Sequence, residues 1–260
     1  MRQNLIDLAN NPNFISGIYN YCDRWCERCP FSSRCMVYAT EKEEEDRDLQ
    51  TRDITNEAFW RKLSSIFEET KQMMADWAEE AGIDLNQVDD AANEQREKRR
   101  SEAAADELAV AASDYANTVA RWFTGFDQVL NVTDLAPNEA DRDEIEQIEE
   151  AREVIHWYQY QIAVKLMRGL SSQSNEAEWP GEAPDKVAKD SDGSAKVSLM
   201  AIDRSVSAWR LMQMCLPERA GSIIPMILDL ERLRQRTELR FPQARDFIRP
   251  GFDEVLGHAN

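Results

Sequence analysis

The longest stretches of this chain repeat their apolar residues at steps of three and four, the period of an α-helix. Residues 55–81 carry Phe59, Trp60, Leu63, Ile66, Phe67, Met73, Met74, Trp77 and Ala81, with Gly82 as a C-terminal stop. Residues 101–130 carry Leu108, Ala112, Tyr115, Val119, Trp122 and Phe126. Residues 139–170 carry Ile145, Ile148, Ile155, Ile162, Leu166 and Leu170. Residues 194–216 place Val197, Met200, Ala208, Leu211 and Cys215 inward, and 218–240 form the last long helix, with Pro225 near its first turns. Nine Pro and nine Gly in 260 residues are too few for a many-turned β protein. The chain is therefore expected to be all-α, a bundle of four to five long helices.

A second feature is chemical. Four of the five cysteines, Cys22, Cys26, Cys29 and Cys35, fall within fourteen residues, spaced C-x3-C-x2-C-x5-C. Thiolates are soft ligands for zinc or an iron–sulfur cluster. Small apolar residues on a helix face would be the bland alternative, and Cys215, alone on its helix, fits that description. Ile15, Ile18, Tyr19, Cys22, Cys26 and Cys29 continue one helical stripe, so residues 12–29 are expected to be a helix capped by Asn11 or Asn13. Pro30 ends it, and Pro30–Arg34 turns to bring Cys35 back. The expected unit is an N-terminal helical hairpin, residues 1–40, carrying a four-Cys metal site.

An intact helix separates Cys22 and Cys29 by roughly 10 Å along its axis. Tetrahedral zinc needs sulfurs roughly 3.8 Å apart, whereas a [4Fe–4S] cluster is larger. Helix continuity thus favours the cluster, with Zn as the alternative; a helix ending near Cys26 leaves a Cys26–Cys29 knuckle that suits zinc equally well. Cys29-Pro30 resembles the Cys-Pro ending of bacterial ferredoxins. The C-x3-C-x2-C spacing is also that of radical SAM enzymes, but these need a β/α barrel and the chain has no alternating strand pattern. Trp25, Phe31 and Tyr38 are the expected apolar shell.

Glu149, Glu153, His156 and Tyr160 share one side of the 139–170 helix. Glu153-Val-Ile-His156 resembles the E-x-x-H motif of ferritin-like di-iron proteins, which implies a carboxylate-metal oxidoreductase with Glu153 and His156 as ligands. That family uses a second such motif, and the only other histidine is His258. Charged residues also interrupt the inward stripes. Desolvation demands partners for them, and Arg152 with Asp203 and Arg204 with Glu149 or Glu153 are the expected pairs.

The formal net charge of −18 disfavours nucleic acid and anionic membrane surfaces. No apolar run is long enough to span a bilayer, and the first residues lack the apolar core of a signal peptide. The expected location is cytoplasmic, where thiols stay reduced and clustered cysteines serve as ligands. Residues 41–53 read as an acidic linker, 54–240 as the bundle, 171–194 as a long mobile loop or lid, and 241–260 as an irregular tail. An arginine-rich stretch, 232–249, either pairs with neighbouring acids or meets a protein partner. Three functions follow: a metal- or Fe–S-binding helical protein whose cysteine site is structural or redox-sensing, a carboxylate-metal oxidoreductase around Glu153 and His156, and a non-enzymatic interaction module.

Overall fold

The computed structural model describes residues 10–45, 55–84, 90–127, 139–178 and 189–254. Among these residues the regular structure is helical, with no strand. Seven α-helices occur in it: α1 (Met36–Glu45), α2 (Glu57–Ala81), α3 (Asp90–Ala105), α4 (Glu107–Asp127), α5 (Glu139–Glu178), α6 (Asp190–Cys215) and α7 (Ala220–Arg240). No helix is long and apolar enough to cross a membrane. Contacts divide the chain into two compact units: Met1–Gln95 with Pro250–Asn260, and Arg96–Arg249.

In the second unit α4, α5, α6 and α7 pack in a closed ring, each against the next and α7 back against α4. The expected stripes form its core: Leu108, Ala112, Tyr115 and Val119 from α4, and Ile155, Ile162, Leu166 and Leu170 from α5. Helix α6 is buried on more of its circumference than one stripe requires. Val197, Leu199, Ala201, Ile202, Val206, Ala208, Trp209 and Met212 are all covered, because α5 and α7 both press on it.

Helices α5 and α6 are antiparallel, and their polar contacts mark the register. Glu176 accepts from the Ser191 N–H and hydroxyl at 3.0 and 2.7 Å. Asp190 accepts from Arg168 and Ser172, each at 2.6 Å. Further along, Ser198 donates to the Ile162 carbonyl at 3.2 Å, Arg204 donates to the Tyr158 hydroxyl, and Cys215 Sγ lies 3.9 Å from Gln147 Oε1. Small residues let the backbones approach: a Cβ on Gly169 would lie 3.2 Å from the Ser191 carbonyl oxygen.

Several expected boundaries move. Residues 171–178 continue α5 and 190–194 begin α6, so both ends of the expected loop are helical; residues 179–188 lie outside the described ones. The charge run at 41–45 belongs to α1; 46–54 also lie outside the described residues. The stretch after α7 is packed: Phe241, Ala244, Phe247 and Arg249 are buried, and Lys196 donates to the Phe247 carbonyl.

The first unit has a much smaller apolar interior. Its buried hydrophobic residues, among those described, are Ile18, Trp25 and Ala78. Helix α2 forms as its periodicity requires, with Asn56 capping the Ala58 N–H at 2.9 Å and Gly82 closing it at φ 68°. Its stripe is not bundle core, however: Trp60, Phe67, Met74 and Trp77 are exposed.

Candidate metal centre

The expected helix over residues 12–29 does not form. Its place is taken by three short 3-10 turns, Ile18–Asn20, Cys26–Arg28 and Ser32–Arg34, before α1 begins at Met36. The cause is local. The Asn11 side chain accepts from the Asn13 N–H at 3.0 Å, and Asp23 accepts from the Trp25 N–H at 3.3 Å. Such side chains offer the backbone an alternative to the helical ladder. Gly17 sits at φ 74°, and Arg24 adopts the left-handed region at φ 58°. A non-glycine residue there costs energy that the surroundings must offset; Arg24 pairs with Glu41 of α1 at 2.7 Å.

The turns bring the cysteines together by another route. The Cys29 N–H donates to the Cys26 carbonyl at 3.3 Å, closing a knuckle between them. Ser32 N–H donates to the Cys29 carbonyl at 3.5 Å and Cys35 N–H to Ser32 at 3.2 Å, which folds Cys35 back. Ile15 N–H meets the Arg34 carbonyl at 3.0 Å and ties the two ends of the segment. Cys22, Cys26, Cys29 and Cys35 all line one pocket of about 370 Å³ of atom-free space, part of it open to solvent. All four thiols are half-buried, and none forms a disulfide.

The remaining lining is largely apolar: Ile18, Trp25, Val37, Tyr38 and Phe252. Trp25 and Tyr38 thus hold the positions expected of a shell. Phe31 contributes indirectly, edge-on to Phe252 at 5.1 Å between centroids. Phe252 is invisible to motif reading, since it lies far along the chain. The one sequence signal nearby is Gly251, whose φ of 74° lets the tail turn where a Cβ would lie 2.9 Å from Ile15 Cδ1.

Electrostatics mark the crowding of sulfurs. Burial first, then the Glu41 carboxylate, raises the Cys26 thiol to about 11; Arg24 opposes the rise, while Cys22 and Cys35 add to it. Neighbouring thiolates repel one another, and a bound cation reverses that balance. No group of three or more His, Cys, Asp or Glu side chains among the described residues is arranged to hold a metal ion.

The second candidate pair lies on α5. Glu153 is exposed, and His156 packs its ring on Phe123 at 4.2 Å, with Gln159 Nε2 3.4 Å from its Nδ1. The charged residues on inward stripes make contacts beyond the expected pairs. Asp203 accepts from Arg245 at 2.6 Å and lies 3.7 Å from Arg234; Arg152 lies 3.7 Å from Glu149. The arginine-rich stretch is engaged within its own unit: Arg232 with Asp229, Arg234 with Glu231, Arg236 with Glu107, and Arg245 with Glu238. Cys215 is half-buried at the end of α6, its thiol raised by burial and then by Glu144.

Comparison with known protein families, curated proteins and solved structures returns no match.

Proposed function

We propose that this is a cytoplasmic iron–sulfur protein in which Cys22, Cys26, Cys29 and Cys35 ligate a [4Fe–4S] cluster. The observation that carries the reading is the convergence of all four cysteines on one mainly apolar pocket. Helix continuity, the original argument for a cluster over zinc, no longer applies. What keeps the cluster ahead of zinc is the Cys29-Pro30 pair and the apolar side chains around the four thiols, which would shield a cluster from water. Tetrahedral zinc draws its sulfurs to roughly 3.8 Å, and a four-iron cluster spreads them.

The cluster's first role is to staple the segment. Few hydrophobic residues are buried among the described residues of this unit, and segments with so little core fold on a metal or a disulfide. Half-buried ligands also leave the cluster open to electron exchange or oxidation, so a redox or sensing role is compatible with the same geometry. Ligation by Glu153 and His156 has weaker support, because the carboxylate is exposed and the imidazole ring is stacked on Phe123.

Anaerobic purification with iron, sulfide and zinc analysis tests the reading. Iron and sulfide in equal amounts, with a broad visible band bleached by dithionite, are expected. Replacing Cys22 and Cys26 by Ser abolishes both. One zinc per chain would assign the same four residues to the smaller guest, and colourless protein lacking both metals would overturn the proposal.

A further inference from the structure

Arg24 stands between Cys22 and Cys26 and lines their pocket. Its φ of 58° lies in the left-handed region, which suits glycine and which other residues enter at a cost. The 2.7 Å ion pair with Glu41 of α1 does not explain an arginine there. The two side chains are 46% and 49% exposed, and an ion pair so open to water contributes little to stability. Backbone strain of this kind gathers at functional sites. What the arginine adds at this place is charge.

Asp23 and Arg24 are the charged residues among those that line the pocket. The Asp23 carboxylate accepts from the Trp25 N–H at 3.3 Å. Glu27 is exposed, Arg28 lies over the Trp25 ring at 4.1 Å, and Arg34 donates to the Asn13 carbonyl at 3.4 Å; none of the three lines the pocket. Glu41 does not line it either, yet its charge reaches the sulfurs: at Cys26 the carboxylate and the Arg24 guanidinium act in opposite directions. Four thiolates carry more negative charge than an iron–sulfur core cancels, and one-electron reduction adds one charge more. That step breaks no bond, and its electron comes from a low-potential donor, dithionite in the test below. Net charge is among the quantities that set a cluster's potential, and a guanidinium keeps its charge at every working pH. Resting on the cluster proposed above, the geometry points to Arg24 as the residue that sets its reduction potential, with Glu41 as the counter-charge that orients and opposes it. The cation favours the reduced state.

Anaerobic redox titration of the iron-loaded full chain, followed by visible absorbance, tests this. Arg24→Gln removes the charge and leaves Glu41 unopposed; it should make reduction about three- to tenfold less favourable, a potential roughly 30–60 mV lower for one electron. Glu41→Gln should move the potential the other way. Arg24→Lys keeps the charge and should stay within about twofold of the wild type. Arg24→Gly relieves the backbone, so it should load iron at least as well as the wild type and still show the fall seen with Arg24→Gln. A purely structural residue would alter loading and leave the potential alone. An unchanged potential in Arg24→Gln and Arg24→Gly overturns the inference and leaves the cluster standing. So does an Arg24→Lys shift as large as that of Arg24→Gln, or a Glu41→Gln shift in the same direction. Wild-type protein that binds no iron and sulfide overturns the reading of the site, and this inference with it.

Discussion

Phe252 reaches the cysteine pocket from more than two hundred residues beyond Cys35, and it packs edge-on to Phe31. Truncation to Ala opens the bound cluster to water and oxygen. Phe252→Ala is expected to load iron normally under anaerobic conditions and to lose its visible band several-fold faster in air. The decay of absorbance checks this. That the four cysteines gather at one place was legible in the sequence, because so short a spacing leaves them little room to separate. Phe252 was not, because nothing local distinguishes a phenylalanine that finishes a pocket from one that caps a tail. Tyr115 makes a different point. Its hydroxyl accepts from Trp209 Nε1 at 2.9 Å inside the core, and burial drives its ionisation far above the ordinary phenol range, against the opposing pull of the indole hydrogen bond. The folded form therefore holds its proton where the unfolded form, titrating near 10, gives it up. Stability is unaffected by this group below pH 10 and falls as pH rises above it. Tyr115→Phe is expected to flatten that alkaline slope in urea titrations, while leaving the indole N–H unpaired at a cost of about 1–3 kcal/mol near neutrality.

The elements show where periodicity suffices and where it fails. It placed α4, α5 and α6 because apolar residues in those stretches meet apolar partners on neighbouring helices, so the stripe and the core coincide. It failed over residues 12–29, where the spacing of Ile15, Ile18 and the cysteines is helical but the polar residues between them are not neutral. Asn11 and Asp23 capture backbone N–H groups, and Gly17 turns left-handed. With a run this short, those local bonds outweigh a stripe that has little core to join. At the end of α5 the error ran the other way. Ser, Asp and Glu at 171–194 look like loop, yet Ser172, Glu176, Asp190 and Ser191 bind one another across the hairpin. Gly169 lies beside this junction. Gly169→Ala gains about 1 kcal/mol of helix propensity. Its Cβ, however, would press on the Ser191 carbonyl at 3.2 Å, and backbone on α6 yields less easily than a side chain. Overpacking of this kind costs about 1–3 kcal/mol, so a net loss of up to about 2 kcal/mol is expected. Denaturant unfolding of the variant, followed by tryptophan fluorescence, measures it.

On the scale of the whole molecule, the two units rest on different physics. Arg96–Arg249 buries nearly all of the described hydrophobic core, including Trp209, Tyr158, Phe123, Leu166 and Ile202, and needs no ligand to hold four helices together. The unit built from Met1–Gln95 and Pro250–Asn260 buries Ile18 at 2% accessibility and Trp25 at 6%, and holds the cysteine segment with turns and single hydrogen bonds. On the proposed reading its stability rests largely on the cluster, since metal affinity in such a segment is folding free energy. The boundary between the units could not be read from composition, because Pro250–Asn260 joins residues at the other end of the sequence. Removing the metal should therefore act on one unit alone. After iron is stripped by an anaerobic chelator, hydrogen exchange is expected to rise sharply across residues 14–39 and 250–253. Amides of α5 and α6 should keep their protection within about twofold. Equal loss of protection in both units would mean that the four-helix core depends on the metal as well, which its buried apolar residues give no reason to expect.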